Sequence, residues 1–367
     1  MTNLLVDQVL AGRRRAIARA ISLVENNGAE AQATLAGLHP HTGQAHIIGV
    51  TGPPGSGKST LVNALVLYFR RGPDRERGER NRSAEREPAT GGAPSGDSRP
   101  SVGVIAVDPT SPFSGGAILG DRIRMRDLAG DRGIFIRSMA SRGNLGGLAW
   151  ATADAVKVLD AAGYDLIIVE TVGAGQAEVD IARTAHTTVV VEVPGLGDDI
   201  QAIKAGILEI ADVFAVNKAD LEGADHAVMA LRMMLDLGTG GGQTIMHHGR
   251  LMEAVTAAHQ TVPADAPADM DLPNWRPPIH KTVATRREGI KELAEAILAH
   301  RTHLQQTGSL VWRERERAAA ELETIIQQES LRQVLDSTDR RQLASLIDQI
   351  VQRELDPYTA SQVLLTK

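Results

Sequence analysis

Gly52-Pro53-Pro54-Gly55-Ser56-Gly57-Lys58-Ser59 stands directly behind the apolar run Ile47-Ile48-Gly49-Val50 and ahead of a helical pattern made by Leu61, Ala64, Leu65, Leu67 and Tyr68. It fits G-x-x-x-x-G-K-[ST] in every fixed position, and the strand, loop and helix around it are the context that pattern requires. The glycines let successive backbone N–H groups turn inward around a phosphate, at the positive end of the following helix. Lys58 would then reach the β- and γ-phosphates, and the Ser59 hydroxyl would ligate Mg²⁺. Gly55, Ser56, Gly57, Lys58, Ser59 and Thr60 form the expected phosphate-binding set.

Reading outward, apolar runs recur. Val102 to Val107 is nearly continuous and ends at Asp108; Gly133 to Ile136 is a short second run; a helix is expected from about Leu148 to Ala162, closed by Gly163. Leu166 to Val169 leads into Glu170-Thr171-Val172-Gly173, Thr187 to Val193 follows, and Val213 to Val216 ends in Asn217-Lys218-Ala219-Asp220. A last strand, Ile279 to Val283, precedes a helix from about Gly289 to His300. Strands alternating with helices predict an α/β fold of the P-loop NTPase kind, a mostly parallel doubly wound sheet. In such a sheet ligands bind outside the carboxyl ends of the strands, where the polar residues fall.

The remaining stretches divide the chain. Val6, Val9, Leu10, Ile17, Ala20, Ile21 and Val24 keep helical spacing, so residues 1–44 read as an N-terminal helical segment before a nucleotide domain at 45–305. Residues 72–100 carry Arg, Glu, Gly, Pro and Ser and almost no large apolar residue; they read as a disordered insertion, either a solvated loop or a docking tail. Leu237 to Gln243 and Pro263 to Pro278 read as loops. Residues 306–367 keep helical spacing at Leu322, Ile325, Ile326, Leu343, Leu346, Ile347, Ile350 and Val351, an appended helical arm whose apolar faces need either the main domain or a second copy.

Composition narrows the partners. Against 45 acidic residues there are 39 Lys and Arg, a formal charge of −6, and no long basic stripe, which disfavours nucleic acid. Without Cys there is neither a disulfide framework nor a thiolate metal site, which fits a cytoplasmic location. No apolar run is long enough to span a bilayer, and the N-terminus has no secretory h-region. Arg13-Arg14-Arg15 is not read as a transit peptide, because Asp7 and Glu25 flank it in a helical pattern. His247-His248, and His300 with His303, are expected to be solvated surface histidines.

Two groups of residues carry chemistry beyond the loop. In Asn217-Lys218-Ala219-Asp220, the Asp220 carboxylate can accept two parallel hydrogen bonds from guanine N1–H and the exocyclic amine, a donor pair that adenine does not offer. Adenine would leave the carboxylate unpaired, which selects GTP over ATP. Mg²⁺ takes hard oxygens, and Asp108 and Glu170 both end apolar strands at the expected phosphate rim. Asp121, in a Gly-flanked loop, is either a third metal ligand or a helix N-cap. Gly173 lies three residues after Glu170, where a backbone N–H could sense the γ-phosphate. Asn217, Lys218, Asp220 and Ala284 complete the expected nucleotide-binding set.

Taken with Asp108-Pro109-Thr110-Ser111, Ser114 to Asp121, Ser141-Arg142-Gly143, Glu170 to Gln176 and Gly195-Leu196-Gly197-Asp198-Asp199-Ile200-Gln201, the chain resembles the methylmalonyl-CoA mutase-associated GTPases, the MeaB/ArgK type. The resemblance covers nearly the whole chain, and the insertion at 72–100 is its main departure. It implies slow GTP hydrolysis, a homodimer formed through the C-terminal arm, and binding to an adenosylcobalamin-dependent acyl-CoA mutase whose cofactor loading and reactivation it gates. The cobalamin belongs to the mutase. It further implies that Asp108, Asp121 and Glu170 surround Mg²⁺, that Lys58, Asp108 and Glu170 carry catalysis, and that 195–204 is a switch. Asp198, Asp199, Gln201 and Lys204 would couple that switch to the partner, although Gln201 and Lys204 also read as an exposed helix face. The attacking water would be oriented by Asp108, Arg122 or a partner residue. Two alternatives stand beside this: a kinase serving amino-acid transport, as the ArgK name suggests, and a metallochaperone GTPase.

Overall fold

The computed structural model describes residues 2–26, 28–72, 99–109, 128, 130–141, 147–171, 181–182, 184–195, 210–239, 245–247, 250–252 and 275–365. It divides into two units, residues 1–307 and 308–367. In the first, strands β1 (His46–Thr51), β2 (Val102–Pro109), β3 (Ile134–Ser141), β4 (Leu166–Glu170), β5 (Thr187–Glu192), β6 (Val213–Val216) and β9 (Ile279–Lys281) form one sheet in the order β3-β2-β4-β1-β5-β6-β9. Every pairing in it is parallel. A two-stranded antiparallel ribbon, β7 (Ile245–His247) with β8 (Arg250–Met252), stands apart.

The continuous apolar runs are explained by burial on both faces. Ile48 and Val50 of β1, Val104 of β2 and Ile168 of β4 pack with α4 (Lys58–Arg71) and, among others, Leu293 and Ile297 of α7 (Ile290–Gln306). Ile47, Ile105, Ile167 and Val169 project to the other face, among α1 (Thr2–Leu10), α2 (Arg14–Val24), α3 (Ala29–Leu38) and α5 (Gly147–Ala161). Further along that face, Val190, Phe214 and Val216 meet Val228 and Leu231 of α6 (Ala224–Thr239). Neighbouring residues thus alternate faces, the period of two that a strand imposes.

Strand order fixes where a ligand can sit. β1 is flanked by β4 and β5, so the chain leaves β1 towards β2 on one side and later crosses from β4 to β5 on the other. This reversal opens a crevice at the carboxyl ends of β1, β4 and β5.

Several boundaries differ from those the sequence predicts. β3 runs on to Ser141 instead of stopping at Ile136, because β2 pairs with it along its whole length and Arg137 is held by Glu25 at 2.8 Å. The loop expected from Leu237 begins later, since α6 continues through Thr239. α7 continues to Gln306, and the last strand stops at Lys281, with Val283 bridged instead to Glu288.

His300 overturns the surface reading: it is 1% exposed. Its place on α7 falls in step with Leu293, Ile297 and Leu304, the buried face of that helix. At the amino edge of the sheet, His46 Nε2 lies 2.8 Å from Thr187 Oγ1, which lies 2.9 Å from His300 Nδ1. His300 Nε2 faces Asp212 Oδ1 at 3.3 Å, and Asp212 Oδ2 accepts from the Thr188 N–H at 2.8 Å. The Trp275 indole donates to the Asp212 carbonyl and packs on the His300 ring. A proton on His300 Nε2, the nitrogen that faces Asp212, makes Nδ1 an acceptor for the Thr187 hydroxyl. Thr187 then accepts from His46 Nε2, so one direction of donation runs through the chain. Burial holds His46 neutral, its pKa lowered well below the ordinary imidazole value by desolvation and then by His186, Arg301 and His300.

In the second unit, α8 (Ser309–Ser337), α9 (Arg340–Val351) and α10 (Pro357–Leu365) follow one another. Asp339 caps α9 through the Arg341 N–H, and Asp356 caps α10 through those of Tyr358 and Thr359.

Candidate nucleotide site

The loop after β1 is shaped by two glycines with no substitute. Gly52 has φ +138°, and a Cβ there would lie 2.1 Å from the Val191 carbonyl oxygen on β5. Gly57, at φ +86°, precedes α4, and a Cβ there would meet Asn217 Nδ2 at 2.6 Å. Left-handed backbone and close approach together leave room only for hydrogen. Lys58, at the first position of α4, is 6% exposed. Its Nζ donates to the carbonyls of Gly52 at 2.8 Å and Pro53 at 2.9 Å, so the ammonium spans the start of the loop. Ser59 Oγ donates to Glu170 Oε1 at 2.5 Å. Beside them the Thr171 hydroxyl donates to Thr51 Oγ1 at 3.0 Å. Thr60 follows in the same helical turn, half-buried.

Asn217 is a hub. Its side-chain amide donates to the Ser56 carbonyl at 2.8 Å, and its Oδ1 accepts from Thr282 Oγ1 and the Ala284 N–H, both at 3.2 Å. Its own N–H donates to the Glu192 carbonyl. Lys218, in the left-handed region at φ +55°, sends Nζ to the Gly55 carbonyl at 2.8 Å. Asn217 and Lys218 therefore brace the phosphate loop from the end of β6. Asp220 does something else: it is at the surface, its Oδ2 3.2 Å from Arg286 Nη2. Arg286 had no signal in the sequence beyond its charge.

The structure thus brings Gly55, Ser56, Gly57, Lys58, Ser59, Thr60, Glu170, Asn217, Lys218 and Ala284 to one edge of the sheet, with Asp220 on the same segment as Asn217. Asp108 lies on β2 two residues beyond Ala106, which pairs with Glu170. Its side chain, and Asp121, Gly173, Asp198, Asp199, Gln201 and Lys204, lie outside the described residues.

A phosphate-binding loop at the switch point of a parallel sheet, braced by N-K-x-D from a later strand, defines the class: a P-loop GTPase. The chain matches the family described as Methylmalonyl Co-A mutase-associated GTPase MeaB over residues 17–81 and 95–339, and it belongs to that family. The match breaks at residues 82–94, inside the expected insertion. A protein of Pyrococcus abyssi named as a GTPase is 44% identical over 365 residues, covering 100% of this chain and 96% of its own. The GTPase ArgK of Escherichia coli is 32% identical over 310 residues, 83% of this chain and 77% of its own. Among solved structures, that of LAO/AO transport system kinase aligns with a TM-score of 0.62 and 24% identity over 99% of this chain and 96% of its own, a likeness of fold.

Proposed function

We propose that this chain is a GTP-hydrolysing chaperone that gates adenosylcobalamin loading, protection and reactivation of methylmalonyl-CoA mutase or a related acyl-CoA mutase. The single observation that carries the hydrolytic part is the bracing of the phosphate loop by Asn217 and Lys218, which ties the base-reading segment to the phosphate cradle. The mutase association is supported by the family's description.

In this reading each residue has a task. The ammonium of Lys58 is fixed by two loop carbonyls where a β- or γ-phosphate oxygen cradled by the loop would meet it, and there it offsets the charge that spreads over the γ-phosphoryl in flight. Ser59 Oγ and Glu170 Oε1, a hydroxyl and a buried carboxylate in direct contact, are the hard-oxygen pair that Mg²⁺ prefers, with Asp108 and Asp121 assigned to the same shell. Bound there, Mg²⁺ would neutralise charge on the β- and γ-phosphate oxygens. The backbone N–H groups of Gly55 to Thr60 hold phosphate oxygens at the start of α4. Asp220 reads the guanine edge, Gly173 senses the γ-phosphate, and Asp198, Asp199, Gln201 and Lys204 pass its presence to the mutase.

The arm at residues 306–367 serves as the homodimer contact, and the domain at 45–305 carries the nucleotide, in a cytoplasmic protein. Exposed Leu322, Ile326, Leu331 and Leu335 on α8, and Ile347 and Val351 on α9, support a second copy as their cover.

The test is capture of a cobalamin-dependent acyl-CoA mutase by the full chain, with GDP and then with a non-hydrolysable GTP analogue, followed by adenosylcobalamin transfer in each state. Nucleotide-dependent capture and loading are expected. Equal loading with GTP and with the analogue would remove hydrolysis from the gate.

A further inference from the structure

We propose that Arg286 is a positioning residue for the Asp220 carboxylate and sets how strictly the site selects a 2-amino-6-oxopurine, the guanine class of base. The inference rests on the reading of Asp220 as the base-recognising group.

Two strands of geometry carry it. The first is the contact itself, Arg286 Nη2 to Asp220 Oδ2 at 3.2 Å. The second is that both partners grow from one frame. The Ala219 N–H donates to the Thr282 carbonyl, while Thr282 Oγ1 and the Ala284 N–H converge on Asn217 Oδ1. The turn between is closed by the Arg286 N–H on the Val283 carbonyl and by paired bonds between Val283 and Glu288. Gly289 then packs so tightly on β9 that a Cβ would lie 2.0 Å from the Lys281 carbonyl oxygen. The root of the arginine and the root of the carboxylate are therefore fixed relative to one another.

That matters because of what guanine asks of Asp220. Two parallel hydrogen bonds, to N1–H and to the 2-amino group, require both oxygens in one plane, whereas a free aspartate carboxylate turns broadly about its last torsion. A guanidinium on Oδ2 holds that plane. Each carboxylate oxygen has about two acceptor sites, so Oδ2 keeps one for the base and Oδ1 keeps both. Inosine, which lacks the 2-amino group, can use only one of the two bonds, so the preference for GDP over IDP measures how well the plane is held.

The experiment titrates GDP and IDP calorimetrically into the full chain as wild type, Arg286→Ala, Arg286→Lys, Asp220→Ala and the double variant, with unfolding midpoints checking that each is folded. An exposed ion pair contributes up to about 1 kcal/mol, so Arg286→Ala is expected to cut the GDP-over-IDP preference by up to about fivefold. Arg286→Lys should recover part of it, and adding Arg286→Ala to Asp220→Ala should change nothing further. An unchanged preference in Arg286→Ala, or an equal drop in the Asp220→Ala background, overturns the proposal. A wild-type preference in Asp220→Ala overturns the base-reading role of Asp220 itself, and the proposal with it.

Discussion

The two edges of the sheet both bury polar side chains, yet they are built to opposite ends. At the carboxyl edge, Lys58, Asn217 and Lys218 spend donors on loop carbonyls, and Ser59 spends its hydroxyl on a carboxylate. Phosphate oxygens arriving in that loop offer acceptors of the same kind, so partners can be exchanged without stranding a donor. At the amino edge, His46, Thr187, His300 and Asp212 bond chiefly to one another and are at most 1% exposed. A ligand there would have to displace groups that are already packed out of reach of solvent. The first edge suits binding and chemistry; the second clasps β1, β5, β6 and α7 together.

The largest effect is expected at Lys58. Removing one donor that stabilises transition-state charge costs on the order of 10²–10³ in rate, so Lys58→Ala should lower single-turnover GTP hydrolysis by about that much. Its unfolding should also come at lower urea, by about 1–3 kcal/mol, because the bonds to the Gly52 and Pro53 carbonyls are lost, so the rate is compared well below the transition. An unchanged hydrolysis rate would sink the assignment of this edge to catalysis.

Thr187→Val probes the other edge with the opposite expectation. Valine keeps the shape but removes the hydroxyl between His46 Nε2 and His300 Nδ1. Stranding buried polar groups costs about 1–3 kcal/mol each, so unfolding should come at clearly lower urea, by about 2 kcal/mol or more in total. Hydrolysis measured well below the transition should stay near wild type. A large loss of turnover with unchanged stability would mean that the two edges are not separable in this way.

The sequence makes the carboxyl edge legible and leaves most of the amino edge hidden, for physical reasons. The loop and the strands behind it are local patterns: glycines at fixed spacing, and apolar runs that only two-sided burial explains. The brace from Asn217 to Ser56 joins residues 161 positions apart, and nothing near either one announces it. Arg137 looks like the end of a strand until Glu25, just past the end of α2, is seen to neutralise it. His300 is the exception. Its helical phase with Leu293, Ile297 and Leu304 was available, but a histidine near a helix end suggests solvent when its partners, Thr187 and Asp212, are remote.

The smallest expected effect is on the acid side of the clasp. His46 is the group to follow; around it stand His186, His300 and Arg301, with Asp212 beyond His300. Burial, reinforced by the neighbouring positive groups, lowers its folded-state pKa, while the unfolded chain titrates near the ordinary value of about 6.5. A depressed folded pKa means that the unfolded state binds the extra proton first. Stability from this group is therefore complete above about pH 6.5 and is lost as pH falls from there towards the folded pKa, by up to about 1.4 kcal/mol per pH unit. Urea unfolding from pH 8 to pH 5 should be flat in this respect above pH 6.5 and decline below it. His46→Gln can still offer an N–H to Thr187 but cannot titrate, so its decline should be shallower by about one proton, with GTP turnover at pH 7.5 unchanged. Equal slopes in the two proteins would remove His46 from the acid response.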